Sequence, residues 1–209
     1  MNKLFYILLL IVSQQVFAQE PIKVACVGNS ITQGPGRDNP DSYPLQMQKR
    51  LKDKYQVINF GVSGRTLLKK GDHPYWEEPQ FEAVKEFAPD VLVIKLGTND
   101  SKPQNWKYKD EFLKDYVEMI ETYKASMPAD GKVYVCIPVP VFKTNFDITE
   151  EIIVNEMVPL TRQAAEQTGS TIIDLHTPME KYGKLFADGV HPNTKGNKIM
   201  AKLVAKAIK

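Results

Sequence analysis

Cysteine and histidine are both scarce in this chain. Of 209 residues, two are Cys and three are His. The histidines, His73, His176 and His191, form no close-spaced ligand pair, so no metal site is expected. Cys26 and Cys136 each lie inside an apolar, strand-like run. A bridge would need their α-carbons within about 7 Å, and buried free thiols are the favoured reading. Nothing beside either would lower its pKa, so neither is a candidate nucleophile. Charge of one sign is also missing. The 27 Lys and Arg are interspersed with 25 Asp and Glu, without a basic block or an acidic tail, so neither nucleic acid nor an anionic membrane is suggested as a partner. No repeat, low-complexity tract or dividing linker is present. Nor does any segment fit G-x-G-x-x-G, the P-loop or G-x-S-x-G.

The only long apolar run, Leu4 to Val12, is nine residues, far short of the roughly 20 that a membrane span needs. Preceded by Lys3 and followed by Val16-Phe17-Ala18, it has the layout of a secretory signal peptide. Residues 1–18 are therefore expected to be removed after Ala18, and residues 19–209 to form one domain that is exported to the periplasm or beyond. No Cys follows the run to carry a lipid, and no stable membrane insertion is expected.

Short apolar runs alternate with amphipathic stretches along the rest of the chain. Strands are predicted at Ile22–Val27, Val57–Phe60, Val91–Leu96, Val133–Val139 and Thr171–Ile173. Helices are predicted at Tyr43–Lys54, Phe81–Phe87, Phe112–Met127, Glu150–Thr168 and Thr194–Ile208, with Asn193 as the N-cap of the last. Such alternation implies a parallel sheet covered on both faces. Val91-Leu92-Val93-Ile94, apolar at every position, suits a strand buried on both sides. In such sheets ligands gather beyond the carboxyl ends of the strands. Three polar motifs follow strands directly: Gly28-Asn29-Ser30-Ile31-Thr32, Gly61-Val62-Ser63-Gly64 and Gly97-Thr98-Asn99-Asp100. A fourth, Asp188-Gly189-Val190-His191-Pro192, precedes the last helix.

Each motif has a chemical reading and a plainer one. Ser30 follows a glycine turn and is either a nucleophile awaiting a base or an N-cap. His191, three residues after Asp188, suits an imidazole whose one nitrogen is fixed by a carboxylate while the other acts as base; a purely structural pair is the alternative. The Asn99 amide can donate to an oxyanion without adding charge, or belong to a polar turn. Gly64 is placed to offer its backbone N–H, and Ser63 is not a nucleophile candidate. His73 is expected in an exposed loop, and His176 to cap or pack after the fifth strand.

Taken together in this order, the blocks make the chain resemble the SGNH (GDSL-type) hydrolases, with Ser30, Gly64, Asn99 and His191 at the four naming positions and Asp188 at the aspartate three residues before the histidine. The resemblance covers Ile22 to Ile208. One departure is Asn29, where the family's alternative name expects Asp. The resemblance implies a flavodoxin-like α/β/α fold, no metal or organic cofactor, and an acyl-serine mechanism. In that mechanism Ser30, His191 and Asp188 are catalytic, and the Ser30 N–H, Gly64 N–H and Asn99 hold the oxyanion.

Within the family the chain is most similar to sialate O-acetylesterase-like and other carbohydrate acetylesterase branches, through Gly28 to Gly34 and Gly71-Asp72-His73-Pro74-Tyr75-Trp76. The expected substrate is a small-molecule or glycan ester, with sialic acid and plant or host glycans as candidates. Asn29, Tyr75 and Trp76 are candidate substrate contacts, and Trp106 or Phe142 candidate walls of the acyl pocket. The alternatives are a lipid, thioester or aryl esterase, an O-acyltransferase, and a non-catalytic glycan-binding module.

Overall fold

Five apolar segments pair as strands: β1 (Ile22–Gly28), β2 (Tyr55–Gly61), β3 (Val91–Lys95), β4 (Lys132–Ile137) and β5 (Thr171–Asp174). The computed structural model describes residues 20–209, and the expected leader, residues 1–18, lies outside them. The strands form one parallel sheet in the order β2-β1-β3-β4-β5, the flavodoxin-like doubly wound order. Alternation along each strand divides the core. Ala25, Val27, Leu92 and Ile94 face one side, and Val24, Cys26, Val91 and Val93 the other.

Helices α1 (Ser30–Gln33) and α2 (Tyr43–Leu51) lie between β1 and β2, and α3 (Pro79–Phe87) leads into β3. Then follow α4 (Pro103–Trp106) and α5 (Phe112–Lys124), α6 (Glu150–Ile152) and α7 (Val158–Gln167), and finally α8 (Thr194–Ala207). Phe81 of α3, Phe112 and Tyr116 of α5 and Ala164 of α7 cover the first face of the sheet. Met47 and Leu51 of α2 and Met200 and Val204 of α8 cover the second. The expected three-layer α/β/α architecture is the observed one.

The helices depart from the sequence reading mainly at their ends. α2 stops at Leu51, because Lys52 turns to φ 58 and Lys52–Lys54 closes as a 3-10 turn. α3 begins earlier, at Pro79, since proline suits the first helical turn, and ends where Ala88 takes φ 46 before Pro89. The helix expected over Glu150–Thr168 contains a π-helical stretch at Ile153–Met157, which turns both Ile153 and Met157 into the core. As expected, Asn193 caps α8, its side-chain oxygen accepting from Lys195 N and Gly196 N.

Cys26 on β1 and Cys136 on β4 are buried free thiols. β3 runs between them, and two strand spacings of about 4.8 Å put them beyond disulfide reach. Burial pushes both thiols up, Cys136 to about 12, which leaves them inert.

The connections leaving β1, β2 and β3 share the carboxyl rim of the sheet. At the opposite rim Glu20 and Pro21 share a shallow depression with Ile208 and Lys209, so both ends of the described chain lie there. No helix among the described residues is long and apolar enough to cross a membrane.

Candidate active site

β1 sits beside β3 in the middle of the sheet, so the segments leaving these strands at the switch point are neighbours. β1 ends at Gly28, where no side chain fits: a Cβ would lie 2.1 Å from Thr32 Oγ1 and 2.7 Å from Lys95 O. Asn29 then caps α1, its Oδ1 accepting from Ile31 N at 3.2 Å, and Ser30 opens the helix. The N-cap role that competed for Ser30 thus belongs to Asn29.

Ser30 Oγ lies 2.8 Å from His191 Nε2, across 161 positions of sequence, and His191 Nδ1 lies 2.7 Å from Asp188 Oδ2. The second oxygen of Asp188 accepts from the backbone N–H groups of Val190 and His191, at 2.9 and 2.7 Å. Partial burial tends to raise the Asp188 pKa, but these two backbone donors and the imidazole outweigh it and hold the carboxyl below its ordinary value. An ionised carboxylate requires a hydrogen on Nδ1, so Nε2 is left to accept from the Ser30 hydroxyl. Gly189, at φ 84, makes the tight return; a Cβ there would meet Lys143 Cβ at 2.6 Å.

The three expected oxyanion donors lie on segments tied to one another. Asn99 Nδ2 donates to Arg65 O at 3.1 Å, which joins the segment after β3 to Gly64 and leaves the second amide hydrogen for a ligand. Gly64 has φ 81. Neither its N–H nor that of Ser30 meets an acceptor among the described residues. Supports that the motifs do not announce hold this turn. Gln33 Oε1 accepts from Ser63 N at 2.8 Å, and Arg65 binds Ser63 O and Glu78. Asp100, in contrast, is signalled by its motif: its two oxygens accept from Leu67 N and Leu68 N, at 3.0 and 2.7 Å. Burial nevertheless lifts its pKa to about 7.

Burial rules out two of the substrate contacts proposed from sequence, Asn29 and Tyr75. Asn29 is fully buried and spent as the cap. Tyr75 is fully buried, its hydroxyl donating to Phe60 O at 2.7 Å, so it offers no face to a sugar. The Trp76 ring is engaged by Phe81, with centroids 5.1 Å apart, and by the Lys69 ammonium 4.3 Å away, while its N–H donates to Leu67 O at 2.7 Å. Trp106 is buried against Phe112, and Phe142 packs on Phe186. A cavity of about 350 Å³ beside Ser30 and His191 is lined instead by Ile31, Gly34, Pro35 and Pro192. His73 is exposed as expected, whereas His176 is buried and joined to Glu150 Oε1 at 2.7 Å, a bond that raises its pKa.

Residues 26–199 match the GDSL-like lipase/acylhydrolase family. The chain belongs to that family. An acetylxylan esterase of Xylanibacter ruminicola is 45% identical over 210 residues, covering 91% of this chain and 44% of that protein. A multidomain esterase of Ruminococcus flavefaciens is 26% identical over 57% of the chain and 15% of its own length. The chain thus spans less than half the length of these curated relatives. Among solved structures, the acetyl xylan esterase AlAXEase superposes with a TM-score of 0.72 at 25% identity, covering 90% of this chain and 100% of that one. The Geobacillus stearothermophilus acetylxylan esterase Axe2 has the same fold, with a TM-score of 0.67 at 22% identity over 89% and 93% of the two chains. Membership joins these motifs to acylhydrolases and leaves the acyl group and the alcohol to be argued from the site.

Proposed function

We propose that the chain is an exported serine esterase that removes O-acetyl groups from carbohydrates, with acetylated xylan as the first substrate to test. The observation that carries the mechanism is the relay Ser30 Oγ, His191 Nε2, His191 Nδ1, Asp188, with hydrogen-bond lengths of 2.8 and 2.7 Å. His191 takes the Ser30 proton as Oγ attacks the acetyl carbon. The oxyanion accepts from the Ser30 and Gly64 N–H groups and from Asn99 Nδ2. His191 then protonates the departing sugar alkoxide and the acetyl group stays on Ser30. A water molecule, deprotonated by His191, attacks the acetyl-serine and releases acetate, which restores the hydroxyl. Asp188 keeps the imidazole in the tautomer that each step needs.

The cavity of about 350 Å³ beside Ser30 lies at the small end of ligand sites and favours a short acyl group over a long lipid chain. The relative at 45% identity, named an acetylxylan esterase, favours xylan over sialic acid. The leader-like residues 1–18 support export. Acetate release from acetylated xylan, O-acetylated sialic acid and aryl esters of rising chain length, each beside Ser30→Ala, tests the reading. Ser30-dependent release greatest on acetylated xylan is expected. Release confined to the activated aryl esters would remove the sugar.

A further inference from the structure

One aromatic that no motif contains lies beside the imidazole. The segment Asn145–Ile148 is a tight turn closed by Ile148 N donating to Asn145 O at 2.9 Å. Its two central residues, Phe146 and Asp147, have φ 53 and 60. Turns with both central residues at positive φ favour Asn, Asp and Gly; a phenylalanine there is a backbone outlier. The conformation is held from several sides. Asn145 Oδ1 accepts from Phe146 N at 3.0 Å, and Asn145 Nδ2 donates to Asp188 O at 3.0 Å. Phe142 N donates to Gly189 O at 2.8 Å. The turn is thereby fastened to the loop that carries Asp188 and His191.

The gain from this strain is not burial, because Phe146 stays 53% exposed. Its ring stands 5.7 Å from the His191 ring, centroid to centroid, at 70°. Backbone strain that persists without a packing return points to function. His191 delivers a proton to the leaving alkoxide, so an exposed ring at its edge adjoins the alcohol half of the ester. Pyranose rings present flat C–H faces that pack on aromatic faces, with hydroxyls directed outward to water. Tyr75 and Trp76, the aromatics that sequence put forward for this task, are already engaged elsewhere.

We propose that Phe146 is the platform for the sugar that leaves, a specificity-determining residue which packs on the pyranose ring bearing the acetyl ester beside His191. The proposal rests on the carbohydrate reading above. The test compares kcat/KM on acetylated xylo-oligosaccharides with kcat/KM on ethyl acetate, whose alcohol is too small to reach a platform, for wild type and for Phe146→Ala, Phe146→Trp and Phe146→Asn. Phe146→Ala is expected to lower the sugar-to-ethyl ratio by about tenfold, mainly through KM. Phe146→Trp should keep that ratio near the wild-type value. Asn tolerates positive φ, so Phe146→Asn should lose the ratio while melting no lower than wild type. Equal losses on both substrates would mean that the ring only seats His191, and an unchanged ratio would mean that no sugar rests on it; either overturns the proposal alone. Wild-type protein that hydrolyses ethyl acetate but no acetylated sugar overturns the carbohydrate reading, and the platform with it.

Discussion

Lys95 lies directly across the β1–β3 ladder from Gly28, two residues before Ser30, with its ammonium fully buried and donating to Thr98 Oγ1 at 3.0 Å. Burial without a carboxylate partner among its hydrogen bonds drives its pKa from 10.5 down to about 7. Below about pH 7 the folded and unfolded chains both carry this charge, and the folded one pays for its desolvation. Between about 7 and 10.5 the unfolded chain holds a proton that the folded chain has given up, so this group's contribution to stability rises with pH. Lys95→Met should raise the melting temperature most at and below neutral pH, and the advantage should shrink as pH climbs toward 10. Thermal melts of both proteins across this range check it; a constant difference would refute it.

Ser30→Ala and His191→Ala are each expected to abolish acetate release with little change in circular dichroism or melting temperature, since both side chains are partly exposed. Asp188→Asn should cut kcat by about four orders of magnitude, because an amide no longer fixes the imidazole tautomer. Its substrate preference should not change.

Asn99→Ala removes a proposed oxyanion donor and should lower kcat by roughly 10²–10³ with KM little altered. Gly64→Ala probes the same cradle by another route. A Cβ there meets nothing within 4 Å, so its effect comes from φ 81 alone, at about 1–2 kcal/mol. Asn99 is also buried and donates to Arg65 O. Steady-state kinetics on one acetyl ester, read beside a melt, should therefore show for Asn99→Ala the catalytic loss together with about 1–3 kcal/mol of stability, and for Gly64→Ala both kinds of loss as well.

Tyr75→Phe leaves Phe60 O without its buried donor and should destabilise the fold by about 1–3 kcal/mol. The ratio of sugar-ester to aryl-ester activity should stay at the wild-type value. Urea unfolding and paired assays check this; a shift in that ratio would return Tyr75 to the substrate site.

The sheet was legible because β1 and β3 are buried on both faces, and that demand writes itself as unbroken apolar runs such as Val91-Leu92-Val93-Ile94. Ser30 and Asn99 stand out in the sequence because glycine-bearing polar clusters interrupt those runs at strand ends, and Asp188 and His191 because another such cluster precedes α8. The π-helical stretch at Ile153–Met157 was not, since one extra residue per turn shifts an apolar stripe without changing its composition. Tyr75 misled because a loop that carries Gly, Pro and His gives no sign that its aromatic turns inward. Phe146 was missed for the converse reason. Its position beside His191 depends on a turn whose φ values its own side chain disfavours, and no propensity argument leads there.

The depression shared by Glu20, Pro21, Ile208 and Lys209 lies at the rim opposite Ser30. Sequence joined at either end therefore departs from the far side of the sheet, away from the cavity beside the serine. The cavity beside Ser30 is thus left uncovered by whatever adjoins the described chain at Glu20 or Lys209.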